Sequence, residues 1–188
     1  KAFGSLKRSI LFVLFYGEER GLVGSRYYTK NPLVPLKDTS AVINIEQIGR
    51  TDDSEGPRVG EFNLTGHEYS NLFDYLKKGA EEVGIKVTGH PKLSAPYFAA
   101  SDNWPFAQAG VPAHTISSAY SFPDYHGPDD EYEKLDYNNM AKLVRAIANG
   151  VRYVADTDKN IEWADIDRTK SFREAQKKLQ ENTTDGLK

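Results

Sequence analysis

The sequence contains no cysteine, which excludes a disulfide scaffold, a thiolate nucleophile and every metal site built on sulfur. The absence does not choose a compartment, because an oxidising environment permits disulfides without requiring them. Long apolar runs are missing too. The run over residues 10–15 is too short to cross a bilayer and is followed at once by charge, and the opening Lys1-Ala2-Phe3-Gly4 has no signal-peptide core after it. A signal on a longer precursor stays open. There is no surplus of positive charge: 24 Lys plus Arg stand against 27 Asp plus Glu, for a net charge of -3. The two signs are interspersed, so no basic surface offsets phosphate repulsion and nucleic acid is not an expected partner. Internal repeats and low-complexity stretches are also absent. What is present, 188 residues with 39% hydrophobic and 27% charged side chains, is enough for one compact domain with a substantial core.

Ser9-Ile10-Leu11-Phe12-Val13-Leu14-Phe15-Tyr16 is almost wholly apolar without polar alternation, as in a central strand covered on both faces. It points to an α/β protein. Gly17 closes it, and residues 18–28 can form a helix stopped by Asn31-Pro32. A second apolar strand over residues 40–45 delivers Glu46 at its end. Thr65-Gly66-His67-Glu68 fits a capping box before the helical stripe Leu72, Leu76, Ala80, Val83, which Gly84 ends. Strand signals flank that helix at residues 61–64 and 85–88. Residues 91–136 are rich in proline, glycine and aromatics and read as loops around one short strand at His114-Thr115-Ile116. Asp136 can cap a helix whose Met140, Leu143, Val144, Ile147, Val151 and Val154 recur at three and four, a core stripe that gives Met140 no functional role. Beyond Asp156 the chain turns polar, with an amphipathic stretch through Phe172, Ala175 and Leu179 and then a loose end over residues 182–186.

Chemistry-bearing residues gather at strand ends. Glu18-Glu19 follows the first apolar strand directly, at the edge where open α/β sheets place their ligands. Adjacent residues point in different directions and can take different jobs. Glu46 ends the other apolar strand, and His126 lies in the loop Phe122-Pro123-Asp124-Tyr125-His126-Gly127-Pro128-Asp129-Asp130. Carboxylate oxygens and a neutral imidazole suit zinc, and a carboxylate that is not a ligand can take a proton from metal-bound water. Spacing alone favours ordinary solvated or loop-stabilising roles for each of them.

Four stretches, in order, resemble the zinc aminopeptidases of peptidase family M28. Gly17-Glu18-Glu19-Arg20-Gly21-Leu22-Val23-Gly24-Ser25 is similar to the GEExGLxGS signature. Asn44-Ile45-Glu46-Gln47-Ile48-Gly49 resembles the strand end N-(L/I)-D-M-(I/V)-G. Ser101-Asp102-Asn103-Trp104-Pro105-Phe106 with Gly110-Val111-Pro112-Ala113 resembles the SD(H/N)xxF…G(I/V)PA loop, and Tyr125-His126-Gly127-Pro128-Asp129-Asp130 resembles YHTxxD. The likeness covers roughly residues 8–155. It implies a mixed, mostly parallel central sheet flanked by helices, of zinc-exopeptidase type and N-terminally truncated. Residues 1–156 would be the C-terminal part of the metallopeptidase domain and 157–188 a peripheral polar helix and tail.

The resemblance also implies roles. Glu18 would be the general base, Glu19 and His126 would ligate one zinc, and Glu46 the other. Glu46 departs from the family's aspartate, and its extra methylene moves the oxygens by about one bond length where zinc sites tolerate errors of about 0.2 Å. The family's earlier H-x-D segment, which completes the two-zinc site, has no match here. The fragment is therefore expected to hold zinc weakly or not at all and to be inactive alone, while the complete protein would remove N-terminal residues from peptide substrates. Asp130 would steady the loop or accept the second N–H of His126; Asp102 and His114 are further candidates beside the metal ligands. His67 reads as part of a capping turn and His90 as a surface residue. Trp104, Phe106, Tyr120, Phe122 and Tyr125 would line the side-chain pocket or pack beneath the loops. The rival readings are a single-zinc glutaminyl cyclase, which Gly21 to Ser25 and the Ser101-Asp102-Asn103 loop fit less well, and a non-catalytic binding or structural domain of the same fold. The resemblance favours a secreted or periplasmic protein and leaves the oligomeric state open.

Overall fold

The computed structural model describes residues 6–90 and 92–181; the opening residues 1–4 and the expected loose end at 182–186 lie outside them. The most regular element is α5, Tyr137–Asp156, and Asp136 caps it as its sequence suggests, its carboxylate accepting from the Asn139 amide at 2.9 Å. Leu143, Ala146, Ile147 and Val154 bury one face of α5. Val144 does not belong to that face: it sits one residue, about 100° of helix, from Leu143 and is half exposed. Opposite lies α2, Leu72–Glu81, whose Leu72, Leu76 and Ala80 are fully buried. The expected capping box does not form there. Thr65 exchanges bonds with Thr115, leaving Ser70 Oγ to accept from the Leu72 amide at 3.2 Å.

Four strands form the sheet among the described residues: β1 Val42–Ile45, β2 Glu61–Leu64, β3 Lys86–Thr88 and β4 Ala113–Ser117. Their order is β1-β4-β2-β3. β1 with β4 and β2 with β3 run parallel, and only the central β4–β2 pair is antiparallel, so the sheet is mixed and mostly parallel. One face carries Phe62, Leu64, Val87 and Ile116 against α2 and α5. The other cluster joins Ala113 to Phe98, Phe106, Trp163 and Phe172. It is built by α3 Ser94–Phe98 and α4 Asn103–Gln108, two short helices in the stretch that composition reads as loop, and by α6 Lys170–Glu181. Phe172 of α6 stacks near Trp163 at 4.9 Å.

Two expectations near the chain start are corrected. Residues 9–16 are not a strand, although their composition is that of one. A strand needs a hydrogen-bonding neighbour, and among the described residues none lies alongside; Phe12 is 90% exposed and Leu14 fully so. Only Phe15 turns inward, against Tyr28 and Phe106. The helix expected over residues 18–28 is split into a 3-10 turn at Glu18–Arg20 and α1 at Val23–Lys30. Gly21 and Leu22 between them adopt left-handed backbone, with φ of 94° and 60°. The break aims Glu18 and Glu19 separately from the helix that follows.

Candidate active site

Four segments converge beyond the carboxyl ends of β1 and β4: the Glu18-Glu19 turn, the strand end at Glu46, the Ser101-Asp102 stretch and the His126 loop. Glu46 leaves β1 with its amide on the Ile116 carbonyl at 3.0 Å. Its carboxylate accepts from Ser101 Oγ at 2.5 Å, and Ser101 Oγ accepts in turn from Asn44 Nδ2 at 2.9 Å. Burial raises the Glu46 pKa above the usual carboxylate range, with the charge of Asp102 adding to it and the Ser101 bond opposing. Asp102 is itself buried and raised by that burial. It accepts from Ser25 Oγ at 2.5 Å, which ties the start of α4 to α1 and so to the turn that carries Glu18.

Glu18 has its pKa pushed up to about 7, first by burial and then by the negative charges of Glu19, Glu46 and Asp102, with His126 pulling the other way. Glu19 is exposed and its Oε1 lies 2.9 Å from His126 Nε2. The His126 ring stacks on Tyr125, centroids 4.0 Å apart, and its backbone is left-handed at φ 59°, a conformation that costs a non-glycine residue energy and persists only where neighbours enforce it. The structure thus brings Glu18, Glu19, Glu46, Asp102 and His126 into one electrostatic neighbourhood.

Other candidates sit elsewhere. His114 is fully buried on β4: Nδ1 donates to the Thr65 carbonyl at 2.8 Å, so Nε2 accepts from Ser70 Oγ at 2.7 Å. Both ring nitrogens are spent in the core, and His114 touches none of the site residues. Burial lowers its pKa to about 4. Because the folded value lies below the unfolded one of about 6.5, the unfolded chain takes up the proton first as pH falls. Stability from this residue is intact above pH 6.5 and lost on the way to pH 4, by about 2 kcal/mol at pH 5. NMR of the imidazole at pH 5 is expected to show a neutral ring with the proton on Nδ1; a charged ring would contradict the buried geometry.

Asp130 steadies the loop through Arg50, whose Nη1 lies 2.7 Å from its carboxylate, and the structure shows no bond from it to His126. His90, expected at the surface, is buried; its Nδ1 accepts from the Lys92 and Leu93 amides at the start of α3, and Nε2 meets Glu55 at 2.5 Å. His67 packs edge-on against Phe73. Of the five aromatic candidates, Trp104 packs on Phe172, Phe106 on Tyr28, Tyr120 on Tyr97, and Phe122 lies beneath Arg50. Tyr125 stacks on His126, and Tyr120, buried, also feels the charge of Glu46. The residue missed by the sequence reading is Arg50, 3% exposed; its position right after the strand-end motif was the available signal.

Carboxylates and an imidazole are donors that zinc takes, and Glu19 and His126 already face one another. Among the described residues no three such groups stand close enough together to hold a metal ion. Two such donors thus face one another, and the described residues do not by themselves complete a metal site. No helix among the described residues is long and apolar enough to cross a membrane.

The fold resembles solved aminopeptidases. The Legionella pneumophila LapA aminopeptidase superposes with a TM-score of 0.64 at 20% identity, over 82% of this chain and 42% of that one. The aminopeptidase from Aneurinibacillus sp. strain AM-1 gives 0.58 at 21%, over 81% and 35%. The chain thus spans less than half the length of either. No curated protein sequence matches it. The sequence model of peptidase family M28 matches residues 1–151, a span that includes the Glu18-Glu19 turn, the end of β1 and the His126 loop together, and on that match the chain belongs to peptidase family M28.

Proposed function

We propose that the chain is part of a two-zinc aminopeptidase that hydrolyses the N-terminal residue from peptides. One observation carries the reading: Glu19 and His126, 107 positions apart in sequence, meet at 2.9 Å beside Glu18 at the end of the sheet. Glu19 and His126 would hold one zinc and Glu46 the other, completed by ligands from an H-x-D segment. When bound, zinc polarises the scissile carbonyl and makes its water more acidic. Glu18 takes the proton from the attacking water and returns it to the leaving amine. Ser101 fixes the direction of the Glu46 carboxylate, and Ser25 with Asp102 fixes the turn that presents Glu18.

The test is metal content together with hydrolysis of a panel of aminoacyl substrates, measured on this chain and on a protein in which the H-x-D segment is joined to it. The joined protein is expected to hold two zinc ions and to cleave; this chain alone is expected to bind zinc weakly and not turn over. A joined protein that holds no metal and cleaves nothing would make the non-catalytic domain the better account. A single zinc with cyclisation of N-terminal glutamine would make it a glutaminyl cyclase.

A further inference from the structure

We infer that Arg50 is a positioning residue for His126, acting by clamping both feet of the loop that carries it. The inference rests on the reading of His126 as a zinc ligand. Arg50 follows Glu46 by four residues, so it belongs to the segment that leaves β1. Its guanidinium is almost completely buried, with a side-chain exposure of 4%, and lies 4.2 Å over the Phe122 ring. Nε and Nη2 grip Asp52 at 2.8 and 2.6 Å. That fork fixes the orientation of the plane, and the outward N–H groups then reach the loop: Nη2 to Asp124 at 3.1 Å and Nη1 to Asp130 at 2.7 Å.

Asp124 and Asp130 flank His126 on either side. Between them the loop is held by short-range backbone bonds, Tyr125 N to Phe122 O, Gly127 N to Asp124 O and Asp130 N to Gly127 O, and His126 sits at its tip in left-handed backbone. Such a conformation needs external enforcement, and among the described residues Arg50 is the one planar cation that reaches both Asp124 and Asp130. Lysine is a poor replacement because one ammonium cannot present a rigid fork to three carboxylates. Lys134 also reaches Asp124, at 2.8 Å, so the Asp130 foot depends on Arg50 more than the Asp124 foot does.

The variants Arg50→Met, Arg50→Lys and Asp130→Asn in this chain decide the matter by hydrogen exchange, by the His126 ring resonances and by titration with zinc alone. Asp130→Asn removes one foot without unburying the guanidinium, and so stays informative if Arg50→Met does not fold. Expected are amides of Tyr125, Gly127 and Asp130 exchanging about tenfold faster, shifted His126 resonances, and unchanged protection in β4 and α5. Zinc affinity should fall about 10- to 100-fold, with Arg50→Lys recovering only part of it, and Arg50→Met with His126→Ala should bind zinc no worse than His126→Ala alone. Loop exchange and His126 resonances identical to the parent in both Asp130→Asn and a folded Arg50→Met would overturn the inference, as would losses that simply add in the double variant. If the parent chain itself takes up no zinc, as a site without its H-x-D ligands allows, the zinc-ligand reading is decided by the joined protein, and exchange and resonances decide whether Arg50 holds the loop.

Discussion

Changing Glu18 to glutamine in the complete peptidase is expected to lower kcat by about a thousandfold while KM and metal content stay as they were. Glutamine keeps the size of the side chain, and the 3-10 turn at Glu18–Arg20 is held by backbone, the Gly21 and Leu22 amides both donating to the Glu18 carbonyl. The fold around the site should therefore persist. What disappears is the capacity to take a proton, and that loss is worth about 4 kcal/mol of barrier. Glu19→Gln is the informative contrast, because it removes a proposed ligand and should lower metal content together with rate. Steady-state kinetics with metal analysis on the same preparations separate the two. An E18Q protein that keeps its kcat would move the base elsewhere, and one that loses metal would make Glu18 a ligand.

The electrostatics give that contrast its physical basis. Glu18, Glu46 and Asp102 are each raised by burial, and their charges act on one another. Three carboxylates gathered at a sheet edge lower stability unless a cation compensates, and such local conflicts concentrate at functional sites. His126 offsets Glu18 only in part. Asp102 and Glu46 each accept a hydroxyl hydrogen bond, from Ser25 and Ser101, which fixes their direction without neutralising them. The arrangement suits a centre that meets positive charge.

Much of the framework was legible because it is locally determined. The α5 stripe with Asp136 before it, the strand at residues 61–64 and the delivery of Glu46 at a strand end all follow from periodicity and capping within one element. Several of the failures trace to a partner that is far away in sequence or missing. Residues 9–16 have the composition of a buried strand, but composition cannot say whether a neighbouring strand is there to pair with. Thr65 looks like a helix cap until β4 takes its amide and hydroxyl. His90 next to a proline reads as surface, yet Glu55 and the first turn of α3 enclose it. Arg50 is the plainest case: its place after the strand-end motif marks it, but two of its carboxylate partners lie 74 and 80 residues further on and that place does not identify them. The candidate site itself was legible only as separate motifs, since the spacing of Glu19 and His126 says nothing about their meeting.

Gly79→Ala is expected to destabilise the protein although helix propensity alone argues for the opposite. Within an isolated α2, alanine in place of glycine stabilises by about 1 kcal/mol. In the folded chain a Cβ on Gly79 would lie 2.1 Å from the Gly150 amide nitrogen and 2.5 Å from the Asn149 carbonyl carbon, both backbone atoms of α5. Facing it, a Cβ on Gly150 would come within 2.9 Å of the Leu76 Cα. Neither glycine has left-handed backbone, so what each supplies is space. The two helices cross at this pair, and backbone cannot rotate aside as a side chain can. An added methyl must push α2 from α5 and loosen Leu72, Leu76, Leu143 and Ile147, which fill the core beneath. Overpacking of this kind costs about 3 kcal/mol, and Gly79→Val, with its branched side chain, more. Urea unfolding of the two variants reads the sign directly. A loss for alanine and a larger one for valine establish the crossing as the contact that fixes how α2 and α5 cover the sheet, whereas a gain for alanine would mean that the helices pack further apart and that propensity governs.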